Sequence, residues 1–239
     1  MVAHSWDDFA GRVDDRFRVL ALTARGHGDS DRAAEYGVMQ HIADTAAFID
    51  EVAGGAAIVC GLSMGGGTAI GLAALHEAKV SKLVIVEAGP SDPKGERLAS
   101  RMCWRTQRSR GAAMPRYYPH ITRRLSMFRT TRSWPTCRTH FAATPMAGCA
   151  ARWIPPSSRR RCGAAAADTD SDALLWAACA AIKCPTLIVR GSRSDVLTRD
   201  GAERMASAIA DARFVEVDAG HAVPFENPDG FYDAVRGFL

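Results

Sequence analysis

The sequence predicts an α/β fold, a mostly parallel sheet with helices on both of its faces. Apolar runs such as Leu83-Val84-Ile85-Val86 and Leu187-Ile188-Val189 lack the apolar–polar alternation of a strand with one wet face, so both faces should be covered. These runs alternate along the chain with segments whose apolar residues recur at helical spacing, as in strands joined by crossover helices. A third observation is the run Ala56-Ala57-Ile58-Val59-Cys60, which passes through Gly61-Leu62-Ser63-Met64-Gly65 into a small-residue helical pattern. That is the sequence form of a strand, a very sharp turn and a helix, with one serine at the apex.

Taken in order, Trp6, Phe9, Ala10 and Val13 predict a short helix, and Phe17–Leu22 a strand ending in Thr23-Ala24-Arg25-Gly26-His27-Gly28-Asp29-Ser30. Gly26-x-Gly28 could open a dinucleotide loop, but Asp31 stands at the third glycine position and a polar loop follows, which argues against it. His27 reads as a loop-shaping residue. Val38, Ile42, Thr45, Ile49 and Val52 share one helical face, stopped by Gly54-Gly55. The serine-bearing strand and a helix through Leu75 come next, with Gly61 and Gly65 expected to leave room in the crowded turn. Val52–Leu75 is 24 residues without charge, long enough for a membrane span, yet its seven glycines argue against one. The strands at 83–86 and 187–189 follow, the second entered by Pro185. Ala202, Met205, Ala206 and Ile209 predict a helix, Phe214–Val217 a strand, and Phe231, Ala234, Val235 and Phe238 the closing helix. His41 and His76 lie on helical faces and read as structural or solvated.

With 239 residues the chain should form one domain with a large core and a smaller insertion. The first residues carry neither a basic segment nor an apolar one, so a cytoplasmic location is expected. Seven cysteines, an odd number without close Cys-x-x-Cys pairs, argue against a disulfide framework or a zinc site. The net charge of +4 hides two compositions. Arg97–Ala167 holds fifteen arginines and no lysine, aspartate or glutamate, which leaves fifteen basic against 26 acidic residues elsewhere. The stretch also holds six prolines, four of the cysteines and three of the five tryptophans. One reading is an arginine-rich nucleic-acid surface, disfavoured because such surfaces usually mix in lysine. The preferred reading is a segment translated out of frame, with the frame restored near Asp168.

An activated serine needs an imidazole to take its proton and a carboxylate to hold that imidazole in the right tautomer. The strand at 187–189 runs into Arg190-Gly191-Ser192-Arg193-Ser194-Asp195, and the last strand into Asp218-Ala219-Gly220-His221. Asp195 and His221 therefore fall in loops at the C-terminal edge of a parallel sheet, the edge that also carries Ser63. Serine, acid and histidine follow in that chain order.

In these pieces the sequence resembles the α/β-hydrolase fold family, over residues 4 to 93 and 169 to 239. The matching segments are Arg25–Ser30, Gly61–Gly66, Arg190–Asp195, and Gly220-His221 with Glu226-x-Pro228. The resemblance implies Ser63 as nucleophile, His221 as general base, Asp195 as orienting acid and the Met64 N–H as oxyanion donor. Asp92 stands where some relatives keep the acid. Serine at the elbow argues against dehalogenase-like or epoxide-hydrolase-like chemistry. The expected domains are 1–93 and 169–239 as two parts of a hydrolase core, with 94–168 in the place of a helical lid.

Relatives carry three strands and a loop before the first helix, and the resemblance implies that these are missing here. The third of those strands would lie beside Phe17–Leu22 and beside the elbow strand. Either Phe17–Leu22 slides into that place or the elbow strand keeps an open edge. The second oxyanion donor would have no source unless Met1–Ala3 folds back over the site. The expected function is a serine hydrolase of a small carboxylic ester or related acyl substrate, through an acyl-enzyme and without cofactor or metal. Lactone, C–C bond and perhydrolase chemistry remain open within it, and a catalytically impaired remnant of such an enzyme is the alternative. The expected partner is the small-molecule acyl substrate, with no membrane.

Overall fold

The computed structural model describes residues 3–90 and 169–239. The Arg97–Ala167 run, the frame reading attached to it and Asp92 lie outside the described residues.

The chain begins with a 3-10 turn at Ala3–Trp6 and helix α1 (Asp7–Val13), then runs without helix or strand to α2 (Val38–Phe48). A π turn over Ile49–Ala53 prolongs α2 and stops at Gly54, as the glycine pair predicts. The elbow strand β1 (Ala57–Leu62) leads into α3 (Met64–Leu75), and β2 (Val80–Val86) follows. After the segment outside the description come α4 (Thr169–Ala181), β3 (Thr186–Gly191), α5 (Arg199–Ala208), β4 (Ala212–Val217), α6 (Val223–Glu226) and α7 (Pro228–Arg236). The four strands among the described residues are all parallel, in the order β1-β2-β3-β4. No helix among the described residues is long and apolar enough to cross a membrane.

The continuous apolar strands are covered on both faces, for the reason the sequence suggests. Along β2 the side chains alternate between two cores. Leu83 and Ile85 pack with Ile42, Ile70, Leu72, Cys179 and Met205 from α2 to α5. Val84 and Val86 pack with Val223, Phe231 and Val235 from α6 and α7, against which Trp6 and Phe9 also lie. All four residues are 0% exposed. Full burial of an aliphatic side chain is worth about 1.5–3 kcal/mol, so this strand anchors the sheet together with β3, which is buried throughout.

The strand expected at Phe17–Leu22 is not one. The segment carries no helix or strand and pairs with no strand among the described residues, and Val19, Leu20 and Leu22 are exposed. A strand exists through the ladder it joins. Among the described residues the sheet ends at β1, which pairs only with β2, so of the two arrangements left open the unpaired edge is the one found there. The Phe17 N–H donates to the Val13 carbonyl at 2.9 Å, and the segment beyond it is exposed to water through Leu22.

Close packing at the elbow falls on Gly61 and Gly66. A Cβ at Gly61 would lie 2.3 Å from the Gly65 carbonyl oxygen, and one at Gly66 2.5 Å from the Ala88 Cβ. Gly65 has open space around its missing Cβ, contrary to the role expected for it. Gly61→Ala is therefore expected to cost ~1–3 kcal/mol or more, since it drives a methyl into rigid backbone. Gly65→Ala should stay within ~0.5 kcal/mol of the parent. Urea unfolding of the two variants checks the contrast.

Candidate active site

Because the strands are parallel, their C-terminal ends share one edge, and each of the four delivers one polar residue there. Ser63 follows β1, Glu87 follows β2, Ser194 lies in the loop after β3, and His221 lies in the loop after β4.

Ser63 caps α3 with φ 55° and ψ −118°, the sharp elbow that the Gly-x-Ser-x-Gly pattern predicts. Its N–H donates to the Val86 carbonyl at 2.9 Å, and its own carbonyl accepts from the Gly67 N–H at 3.0 Å. Met64 is the first residue of α3, and N–H groups of a first helical turn have no acceptor within the helix. Ala3 does not supply a second such donor, since its N–H donates to Thr23 Oγ1 at 2.9 Å. Met1 and Val2 lie outside the described residues.

Glu87 is the residue that sequence reasoning missed. It is 0% exposed, directly after the buried end of β2, with φ 52°. Ser63 and Glu87 are the two non-glycine residues at positive φ among the described residues. Such conformations cost on the order of 1–3 kcal/mol each and concentrate at functional sites. His221 Nδ1 lies 3.1 Å from Glu87 Oε2. The Gly191 N–H donates to Glu87 Oε1 at 2.7 Å, and the Ser194 hydroxyl donates to Oε2.

The carboxylate that meets His221 is thus Glu87 and not Asp195. Asp195 is exposed and makes no hydrogen bond or ion pair among the described residues. The turn after β3, closed by the Ser194 N–H on the Gly191 carbonyl at 2.9 Å, brings Ser194 to Glu87 instead. One signal for Glu87 was present in the sequence: a lone charge closing the apolar run Leu83–Val86, ahead of Gly89-Pro90.

A profile of the alpha/beta hydrolase family matches residues 1–234. The chain belongs to the alpha/beta hydrolase family. It is similar to an esterase of Mycobacterium tuberculosis, 28% identical over 253 residues, covering 99% of this chain and 78% of that protein. It is also similar to a 3-hydroxybutyrate-oligomer hydrolase of Cupriavidus necator, 27% identical over 242 residues, covering 93% of this chain and 80% of that protein. In fold it resembles a crystallised enol-lactonase of Burkholderia xenovorans, with a TM-score of 0.62 at 21% identity, covering 100% of this chain and 86% of that one. These relationships make the chain a hydrolase.

Two further carboxylates of this hydrolase hold loops in place. Glu226 takes the Gly220 N–H at 2.7 Å on one oxygen and the Ala222 N–H at 3.0 Å on the other, bracketing His221. Asp44 takes both arms of Arg25, Nε and Nη2, each at 2.6 Å. The Arg25 guanidinium holds the Asp44 carboxyl below its ordinary range. His27, read as loop-shaping, has Nδ1 3.1 Å from the Arg25 carbonyl oxygen in the same loop. His41 is buried, which lowers its tendency to protonate.

The two backbone N–H groups on Glu226 likewise hold its carboxyl below the ordinary value. A group whose folded value is depressed stabilises the fold above the unfolded value, and that contribution fades as pH falls through the folded value. Glu226→Gln should therefore unfold earlier than the parent at neutral pH, with the gap closing as pH falls below about 4.5. Thermal unfolding across that range is the check.

Proposed function

We propose that the chain is a serine hydrolase of small carboxylic esters, acting through an acyl-enzyme with Ser63 as nucleophile, His221 as general base and Glu87 as the orienting acid. The observation that carries the reading is the contact between His221 Nδ1 and the fully buried Glu87 carboxylate, on the sheet edge where Ser63 stands. Support for an ester as the substrate bond comes from the similarity to an esterase.

In this reading Glu87 accepts the Nδ1–H of His221 and so fixes the tautomer that leaves Nε2 to take a proton. Ser63 Oγ attacks the acyl carbon while His221 Nε2 takes its proton. The carbonyl π pair moves onto oxygen, where the Met64 N–H at the start of α3 meets the developing charge. Collapse of the tetrahedral intermediate breaks the ester C–O bond, and His221 returns the proton to the leaving alcohol. Water, deprotonated by His221, then releases the acid and restores Ser63.

Ser63→Ala should abolish fluorophosphonate labelling and p-nitrophenyl acetate turnover while leaving stability within ~1 kcal/mol. Persistent turnover in that variant would remove Ser63 from the mechanism. Glu87→Gln should lower kcat by roughly 10³–10⁴-fold, as for a lost histidine orienter. Asp195→Asn, a change at an exposed side chain, should leave kcat within ~2-fold of the parent. If the two acid variants exchange these effects, the acid is Asp195.

A further inference from the structure

We propose that Ser194 is a positioning residue for the hydrolysis, its hydroxyl fixing the Glu87 carboxylate against His221 from a loop that Arg190 clamps. The inference rests on the Ser63–His221–Glu87 reading above. Glutamate carries one more rotatable bond than aspartate, so a glutamate in this position needs more restraint to present one oxygen in one place. The Ser194 hydroxyl donates to Oε2, the oxygen that also faces His221 Nδ1, whereas the Gly191 N–H holds Oε1. Ser194 therefore restrains the oxygen that the imidazole must find.

The direction of that hydroxyl is itself determined. The Val196 N–H donates to Ser194 Oγ at 3.1 Å. A hydroxyl that accepts there keeps its single proton for Glu87. The loop carrying it is otherwise exposed at Ser192, Arg193, Asp195 and Val196, and Leu197 is its buried foot. What holds the loop is Arg190, 8% exposed. Its Nε donates to the Leu197 carbonyl at 2.6 Å, Nη2 to the Ser194 carbonyl at 3.2 Å, and Nη1 to the Ser192 carbonyl at 3.4 Å. Nη1 also donates to Glu216 Oε1 at 2.5 Å, which ties the clamp to β4, the strand that leads to His221. A planar guanidinium with its donors in a fixed fork suits this bracing of three carbonyls and a carboxylate.

The test uses the full chain, p-nitrophenyl acetate turnover and the rate of fluorophosphonate labelling. Ser194→Ala should lower kcat and the labelling rate together by ~10–100-fold with KM nearly unchanged, the signature of a misplaced reacting group. Ser194→Thr, which keeps the hydroxyl, should recover most of the loss. On a Glu87→Gln background the same Ser194→Ala change should add less than ~3-fold, because the two residues act through one contact. Ser194→Cys, with a weaker donor in similar space, serves if the alanine variant does not fold, and its kcat should fall at unchanged KM. A kcat within ~2-fold of the parent in Ser194→Ala or Ser194→Cys overturns the proposal, as does a loss that threonine does not recover and that adds in full to Glu87→Gln. Turnover surviving in Ser63→Ala would instead strike the underlying reading, so the two failures are distinguishable.

Discussion

The site depends on one buried carboxylate. Glu87 has no exposure to water, and a carboxylate in that position is costly unless its oxygens meet donors. Its donors come from the end of β3 and from the loops after β3 and β4, and the Glu87 N–H in turn donates to the Val189 carbonyl at 3.0 Å. Each of those loops must be in its native place before the carboxylate is satisfied. The electrostatic requirement of one residue thereby orders three segments that are far apart in the chain.

Packing supplies the frame in which this can hold. β2 is buried on both faces, its side chains dividing between the core of α2 to α5 and the core of α6 and α7. Parallel pairing in register brings the ends of β1, β2, β3 and β4 to one edge, so Ser63 and Glu87 leave neighbouring strands side by side. Both adopt positive φ, and both are held by contacts that a relaxed backbone would lose. Ser63 is tied to the Val86 carbonyl, and the close approach of Gly66 to Ala88 leaves no slack between elbow and strand. A rigid sheet edge can hold such local strain in place of relaxing it.

The loops on that edge are secured by polar bridges as well as by the buried Leu197 and Ala219. Glu226 brackets His221, Arg190 braces Ser192, Ser194 and Leu197, and Arg193 pairs with Asp218 between the loops after β3 and β4. The opposite flank of the sheet is looser. Among the described residues β1 has one neighbour, and the segment 17–22 keeps Val19, Leu20 and Leu22 exposed.

The sequence by itself determined the α/β class, the elbow at Ser63 and the loop that carries His221. Each follows from local pattern: apolar runs without alternation, a glycine-flanked serine between a strand and a helix, and Gly-His after the last strand. It also marked Gly54-Gly55 as the stop after α2, which the left-handed Gly54 fulfils. The tertiary structure decided what depends on residues remote in sequence. Phe17–Leu22 has the composition of a strand, but a ladder needs a neighbour, and none is beside it among the described residues. Asp195 and Glu87 are both carboxylates next to strand ends and both lie between Ser63 and His221 in the chain, so order does not separate them, and the family resemblance favoured the first. Which of them reaches His221 was fixed by the turn of the loop after β3, where a difference of one position leaves Asp195 in water and sends Ser194 inward to Glu87.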